Sequence, residues 1–320
     1  MSRRIPLWAT LLPLLIGVIA WAWFWHGFAE GFRRDLEKAL PDDVRIDVGG
    51  FPYRLEARFP DFEAKLADAA LSGSVKAAEL RVNRVPWQAD RQVIGLKDSQ
   101  VRVALSTLLG AEAEVTAAEA QASLTLKDGH IGRLSMVWEA PRIVTGLLPV
   151  GVEAGHLEVH LRETPAKAEG GALPTEAQLV ISGEKVRFGE GQPLGVELQA
   201  ELSAAAAIRS YAGWAASGGA VALRSVTLAD ETGEVARMTA TLKPDGAGAL
   251  WLEGQVETVC PANVRAAIAG APPVSEKRSR KPEAIAVSGR FPGGLVAAPR
   301  DAAKPAPPVR GQEPACPRLR

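Results

Sequence analysis

Cysteine is scarce in this chain. Two cysteines among 320 residues, Cys260 and Cys316, exclude a dense disulfide framework and a multi-cysteine zinc module. Charge of one sign is lacking too: Lys+Arg 37 against Asp+Glu 37 leaves no net pull toward nucleic acid or an acidic partner. Aromatics are few, and histidine is limited to His26, His130, His156 and His160. No serine stands in a Gly-x-Ser-x-Gly elbow, so the usual hydrolase signal is missing. The Gly-x-Gly pairs at Gly189/Gly191 and Gly246/Gly248 complete neither a dinucleotide nor a P-loop spacing and read as hairpin turns. Glycine and proline are ample, as suits a chain broken by many turns. The length allows two average domains or one large one.

What is present begins with 21 residues without a charge, Ile5 to Trp25. As a helix they span roughly 31 Å, the thickness of a bilayer's hydrocarbon core. Arg3 and Arg4 precede the run, while Glu30, Asp35 and Glu37 follow it. The positive-inside bias then keeps the N-terminus cytoplasmic and sends the rest across. Trp21, Trp23, Phe24, Trp25 and Phe28 gather at the far end, where amphipathic rings prefer the membrane–water interface. A cleaved signal peptide is the alternative, since Ala20-Trp21-Ala22 has the small-x-small form of a cleavage site. The apolar run is long for that purpose, and cleavage would leave a chain starting Trp-Phe-Trp. Either way residues 30–320 are exported.

After the apolar run, Phe28, Phe32, Leu36 and Leu40 fall at helical spacing and predict a short amphipathic helix ending near Pro41. The period then becomes two. Phe51, Tyr53, Leu55, Ala57 and Phe59 alternate with Pro52, Arg54, Glu56 and Arg58. The same pattern recurs in Leu157–Arg162, Val196–Leu202 and Arg237–Leu242, and more weakly around 80–82, 101–105, 124–126, 179–181, 186–188, 221–228 and 250–256. Asp128-Gly129, Ser182-Gly183, Gly218-Gly219 and Pro244-Asp245-Gly246 supply turn signals between many of them. The expected fold is mainly β, an antiparallel meander after one membrane helix, with the choice between an open curved sheet, a sandwich and a barrel left open. Ser203 is placed as the cap of a helix through 204–216, and Cys260-Pro261 as the start of another ending at Gly270. The expected organisation is an anchor over 1–29, a β-rich domain over 30–270 with an internal loop at 164–175, and a Pro/Ala-rich, mostly disordered tail over 271–320.

The order of features resembles a known family. The anchor is followed by Gly50-Phe51-Pro52-Tyr53-Arg54-Leu55, then Val85-Pro86-Trp87 with Val93-Ile94, then Trp138 with Pro141. Trp214-Ala215-Ala216-Ser217-Gly218-Gly219 comes later, before further strands. This order is similar to the alphaproteobacterial membrane-anchored proteins grouped as domain-of-unknown-function family 2125, over about residues 5–270. The chain departs from that pattern in its few glycines in the strands after Gly219 and in its charged, proline-rich tail. The family carries no established activity, so the resemblance implies no site residues; it implies a bacterial inner membrane location with the bulk of the chain periplasmic. Read physically, Gly50 permits a turn, Phe51 plugs a core and Pro52 presets φ at a strand start.

Candidates for chemistry are thin. His156 and His160 have a spacing that on a helix would aim both rings at one metal, but a zinc-protease pattern needs glutamate directly after the first histidine, and Leu157 is there. On a strand the two rings stand about 13 Å apart on one face, too far for one ion. Asp42-Asp43 and Asp230-Glu231 lie in turn-like segments where solvation explains them. Lys277-Arg278-Ser279-Arg280-Lys281 is expected to be a solvated linker, with anionic lipid headgroups as the alternative contact. Cys260 and Cys316 can pair in an oxidising compartment or stay free; both readings stand. No catalytic, cofactor-binding or metal-ligating residue is nominated. The expected protein is a non-catalytic, membrane-anchored envelope protein that binds lipid or another amphiphile on an apolar sheet face. Its alternative is a scaffold that binds envelope partners through sheet edges or the tail.

Overall fold

A computed structural model describes residues 7–40, 44–67, 71–105, 112–127, 130–167, 175–205, 210–299 and 313–320. Nothing in the sequence between Trp25 and Ala39 breaks a helix, and the membrane run and the amphipathic segment form one element. Helix α1 spans Leu7–Ala39, 33 residues with Pro13 inside. At 1.5 Å per residue it is about 50 Å long, so about 20 Å remains beyond a bilayer core of about 30 Å. That remainder docks: Trp25, Ala29, Phe32 and Leu36 are buried against Leu55, Ala57, Phe59, Leu80 and Val82.

Among the described residues sixteen strands follow in one sheet: β1 Val48–Gly49, β2 Leu55–Ala67, β3 Leu71–Arg84, β4 Arg91–Leu105, β5 Glu112–Lys127, β6 His130–Glu139, β7 Arg142–Thr145, β8 Val152–Glu153, β9 His156–Lys167, β10 Thr175–Phe188, β11 Leu194–Ser203, β12 Ala220–Asp230, β13 Gly233–Pro244, β14 Leu250–Thr258, β15 Glu283–Phe291 and β16 Gly294–Pro299. Helix α2, Tyr211–Ala216, precedes β12, and α3, Pro261–Ala269, precedes β15. Among the described residues every strand pairing is antiparallel, and the order follows the chain. The short β7 and β8 continue β6 and β9 past a break at Ala140, where φ is 47°, and Pro141. Among the described residues no pairing joins β1 to β16, so the meander stays open instead of closing into a barrel.

Three expectations are corrected. The described residues after Ala271 are folded onto the domain: β15 adds to β14, β16 adds to β15, and Cys316 is disulfide-bonded to Cys260 with Cα atoms 5.8 Å apart. Ile285, Val287, Gly289 and Phe291 alternate like any other strand, but a Pro/Ala-rich average over fifty residues hides a short hairpin. Of the helix expected over 204–216, residues 206–209 lie outside the described residues; α2 takes Tyr211–Ala216 and is capped by Ser210, whose hydroxyl accepts the Gly213 N–H at 3.0 Å, while Ser203 ends β11. The loop expected at 164–175 begins later, since β9 runs to Lys167 and β10 starts at Thr175. Asp42-Asp43, the Asp128-Gly129 turn and residues 168–174 lie outside the described residues.

The second helix forms as its caps dictate, with Pro261 at its first position and Gly270 in the left-handed region at φ 69°. The Trp214 motif also has a structural job. Trp214 is 2% exposed, donates its indole N–H to the Ser203 carbonyl at 3.0 Å and lies flat on Gly219. A Cβ at Gly219 would stand 2.1 Å from the indole nitrogen, so only glycine fits there. At the β13–β14 turn, backbone N–H groups of Ala247 and Ala249 and the Arg290 guanidinium hold the Asp245 carboxyl down at about 2.

Candidate functional site

Residues directly opposite in an antiparallel sheet share a face, so the strand registers trace rows across it. One row reads Ala57, Val82, Ile94, Ala122, Met136, Val159, Ile181, Leu198, Val226, Met238, Val256 and Ile285, one residue from each of β2 to β6 and β9 to β15. No polar side chain interrupts it. The adjacent row, Leu124, Leu134, Leu161, Leu179, Ala200, Leu223 and Ala240, is apolar as well. At about 4.8 Å per strand the first row is roughly 53 Å long.

Burial along this face is uneven. At one end α1 covers it, and at the other α3 and the C-terminal residues do, with Val264, Leu319 and Cys260 buried against Val256, Ile285 and Val287. A third, small cluster forms around Val152, Ala154 and Val186 where β7 and β8 bend. Between Ala122 and Val226 the row is only half-buried, and among the described residues neither helix nor second sheet packs over it. That uncovered stretch spans six strands, about 24 Å. Under α3 the face ends in a cavity of about 220 Å³ lined by Val226, Leu228, Met238, Ile268, Leu295 and Leu319, among other apolar side chains.

The opposite face is polar and self-paired. Gln121, Glu158, Ser182, Glu197, Thr227, Arg237 and Glu257 share one of its rows with Val137. Glu56, buried beneath Arg54, Arg58 and Arg81, stays ionised: burial works against its charge, but the Arg58 hydrogen bond and the three guanidinium charges outweigh burial and hold its carboxyl low. Arg102 pairs with Glu114 and Arg224 with Glu201 in the same manner, strand to neighbouring strand.

The three strand histidines, His130, His156 and His160, fall on this polar face. His156 and His160 flank Glu158 on β9: His156 Nε2 lies 3.0 Å from one carboxylate oxygen and His160 Nε2 3.1 Å from the other. His156 Nδ1 also meets Glu139 of β6 at 2.7 Å. His130 shares Glu163 with Lys127. His26 is exposed on α1 beside Trp25. Among the described residues no group of three His, Cys, Asp or Glu is arranged to hold a metal ion. Instead the rings stitch strands. Hydrogen bonding to Glu158 and then to Glu139 raises the His156 imidazole above its ordinary value of about 6.5. A raised folded-state value means the contribution to stability is full below about 6.5 and disappears as pH climbs through the raised value. In a ring-resonance NMR titration His156 is expected to have its midpoint above 6.5; a midpoint at or below that would remove the bridge from the account.

The basic run is part of the structure. Arg278 is buried and binds Asp230 at 2.5 Å, Arg280 binds Glu313, and the Arg278 and Cys316 N–H groups donate to Pro314 and Glu276 carbonyls. Asp230 accordingly stays ionised, since hydrogen bonds from Thr232 and Arg278 outweigh its burial. The Gly50-Phe51-Pro52 reading is corrected too: Phe51 plugs no core. Residues 51–53 form a turn ahead of β2, with Phe51 and Tyr53 exposed. The sequence revealed the apolar face by its alternation, but carried no signal for where α1 and α3 would leave it bare.

A family model described as "Uncharacterized protein conserved in bacteria (DUF2125)" matches residues 42–303, and so takes in β15 and β16. Neither the curated proteins nor the solved structures hold a match to this chain.

Proposed function

We propose, of a chain that belongs to the DUF2125 family, that it is a non-catalytic envelope protein holding a lipid acyl chain or similar amphiphile on its apolar sheet face. The observation that carries this reading is the uninterrupted apolar row whose middle, Ala122 to Val226, has no cover among the described residues. Half-buried apolar surface of this continuity is costly in water unless something covers it, and hydrocarbon is the partner that asks for no polar contacts. The bare stretch of about 24 Å exceeds the depth of one leaflet's hydrocarbon, about 15 Å.

Helix α1 ties the sheet to a membrane, being long and apolar enough to cross one. The Arg3-Arg4 pair ahead of it favours a cytoplasmic N-terminus, with the sheet on the periplasmic side of the inner membrane. The Cys260–Cys316 disulfide supports an oxidising compartment. A scaffold acting through sheet edges or the tail finds less support. The last strand is short and ends on Pro299, which blunts pairing, and residues 313–320 are fastened down.

Native mass spectrometry of the full chain, released from membranes into a lipid-free micelle, tests the reading. Stoichiometric phospholipid retained on the chain is expected. A bare chain mass under conditions that keep the disulfide intact would overturn it. A fragment ending at residue 270 is unsuitable, because it would lose β15, β16 and Cys316.

A further inference from the structure

We infer that the two turns beside α1, residues 50–54 and 85–88, are immersed in the lipid headgroup region and seat the sheet directly on the bilayer surface. The inference rests on α1 crossing the membrane, and is independent of what the apolar face carries.

The heights along α1 carry it. Trp25 is the last residue of the apolar run ahead of His26, and Trp21 lies one helical turn, about 6 Å, nearer the bilayer centre. Both indoles are tied to the first turn: Trp21 Nε1 donates to the Pro52 carbonyl at 3.0 Å and Trp25 Nε1 to the Arg54 carbonyl at 3.3 Å. The Trp25 ring meets Phe51 edge-on with centroids 5.4 Å apart, and Trp21 meets Trp87 of the second turn at 6.3 Å. A helix placed with its apolar run in hydrocarbon therefore brings both turns to the depth where the run ends. The helix offers no freedom to avoid this, because it continues without a break into its docked half.

The turns present side chains suited to that depth. Tyr53 is 76% exposed, Trp87 61% and Phe51 49%, a large aromatic exposure for a chain with so few rings. In water that exposure is unfavourable; at a membrane interface, rings with one apolar body and one polar edge are at home. Trp23 and Phe28 on α1 extend the same belt. The turns are also built. Gly50 sits at φ 97°, a Cβ there would meet the Arg54 carbonyl oxygen at 2.6 Å, and the Arg54 N–H closes the turn on the Gly50 carbonyl at 3.1 Å. The second turn is closed by the Gln88 N–H on the Val85 carbonyl at 3.0 Å. Their rings are thus held out, while the apolar residues of β2 and β3 behind them face α1.

Site-directed spin labelling of the full chain tests this in phosphatidylcholine and phosphatidylglycerol vesicles. Single cysteines replace Tyr53, Gln88, Ile16 and Trp251 in turn; Gln88→Cys leaves Trp87 in place and guards against a misfolded Tyr53→Cys. Labelling is done without reductant. Collision with a water-soluble nickel chelate is expected to be several-fold lower at 53 and 88 than at 251, on the polar face of β14, with oxygen favoured over nickel. Nickel access at 53 and 88 equal to that at 251, with Ile16 shielded, would overturn the inference while leaving the span intact. Nickel access at Ile16 equal to that at 251 would overturn the span and the inference together.

Discussion

Replacing both Cys260 and Cys316 by serine is expected to lower unfolding free energy by about 4 kcal/mol. The bridge links residues 56 apart in sequence, and closing a loop of that length removes roughly this much entropy from the unfolded chain. The folded-state consequences concentrate in one place. Cys260 is fully buried at the start of α3, and the residues after Cys316 lie against the end of the apolar face. Without the bridge, residues 313–320 keep three backbone hydrogen bonds (the Cys316 N–H on the Glu276 carbonyl, the Arg278 N–H on the Pro314 carbonyl and the Gln192 N–H on the Arg318 carbonyl), the Arg280–Glu313 ion pair and the apolar packing of Leu319. Leu319 then lifts more easily from the cavity it shares with Val226, Met238 and Leu295, and the cavity opens. Denaturant unfolding followed by circular dichroism, comparing the oxidised chain with the double variant, measures the effect. A difference below about 1 kcal/mol would mean that the hairpin of β15 and β16 anchors the C-terminus without the disulfide.

Ile181→Asp is expected to strip bound lipid, whereas Val180→Asp leaves it in place. The two positions are neighbours on β10 with opposite faces. Ile181 pairs with Val159 and Leu198 in the bare stretch, and Val180 pairs with His160 and Gln199 on the polar side. A carboxylate set against hydrocarbon costs about 2.5–3.5 kcal/mol at the centre of a membrane. On a half-buried sheet face the loss is smaller, but still at least about tenfold in lipid retained. On the polar face the same charge meets water and an imidazole. Lipid mass per chain, measured side by side for the two variants, decides the matter. Equal loss in both would trace the effect to strand stability instead of to the apolar face.

Much of this architecture is legible in the chain, and the reasons differ by element. The alternation at Leu157–Arg162 or Val196–Leu202 is local, so the strands and their two faces can be read residue by residue. The Pro261 and Gly270 pair marks α3 at both ends, for the same local reason. The errors arise where a local cue was overruled by its surroundings. Phe51 and Tyr53 continue the alternation of β2, yet the positive φ at Gly50 turns the chain ahead of Leu55 and leaves their rings outside. Arg278 and its neighbours look like a solvated basic run, but Asp230, 48 positions earlier, draws Arg278 into the protein. The half of α1 beyond Trp25 looks like a separate amphipathic helix, although its continuity is what ties the sheet to the span.

By itself the sequence determined that the chain has one apolar span, that it folds into antiparallel strands, and which side chains share a face, because each depends on spacing within a few residues. Only the tertiary structure decided which part of the apolar face is covered. Cover comes from packing between elements, which the spacing within a strand does not record: α1 lies over β2 and β3, and α3 with the disulfide-held C-terminus over β14 and β15. A half-buried leucine and a buried one obey the same period of two, and they differ in the partner that closes over them. The row between Ala122 and Val226 stays half-buried because no such partner reaches it among the described residues.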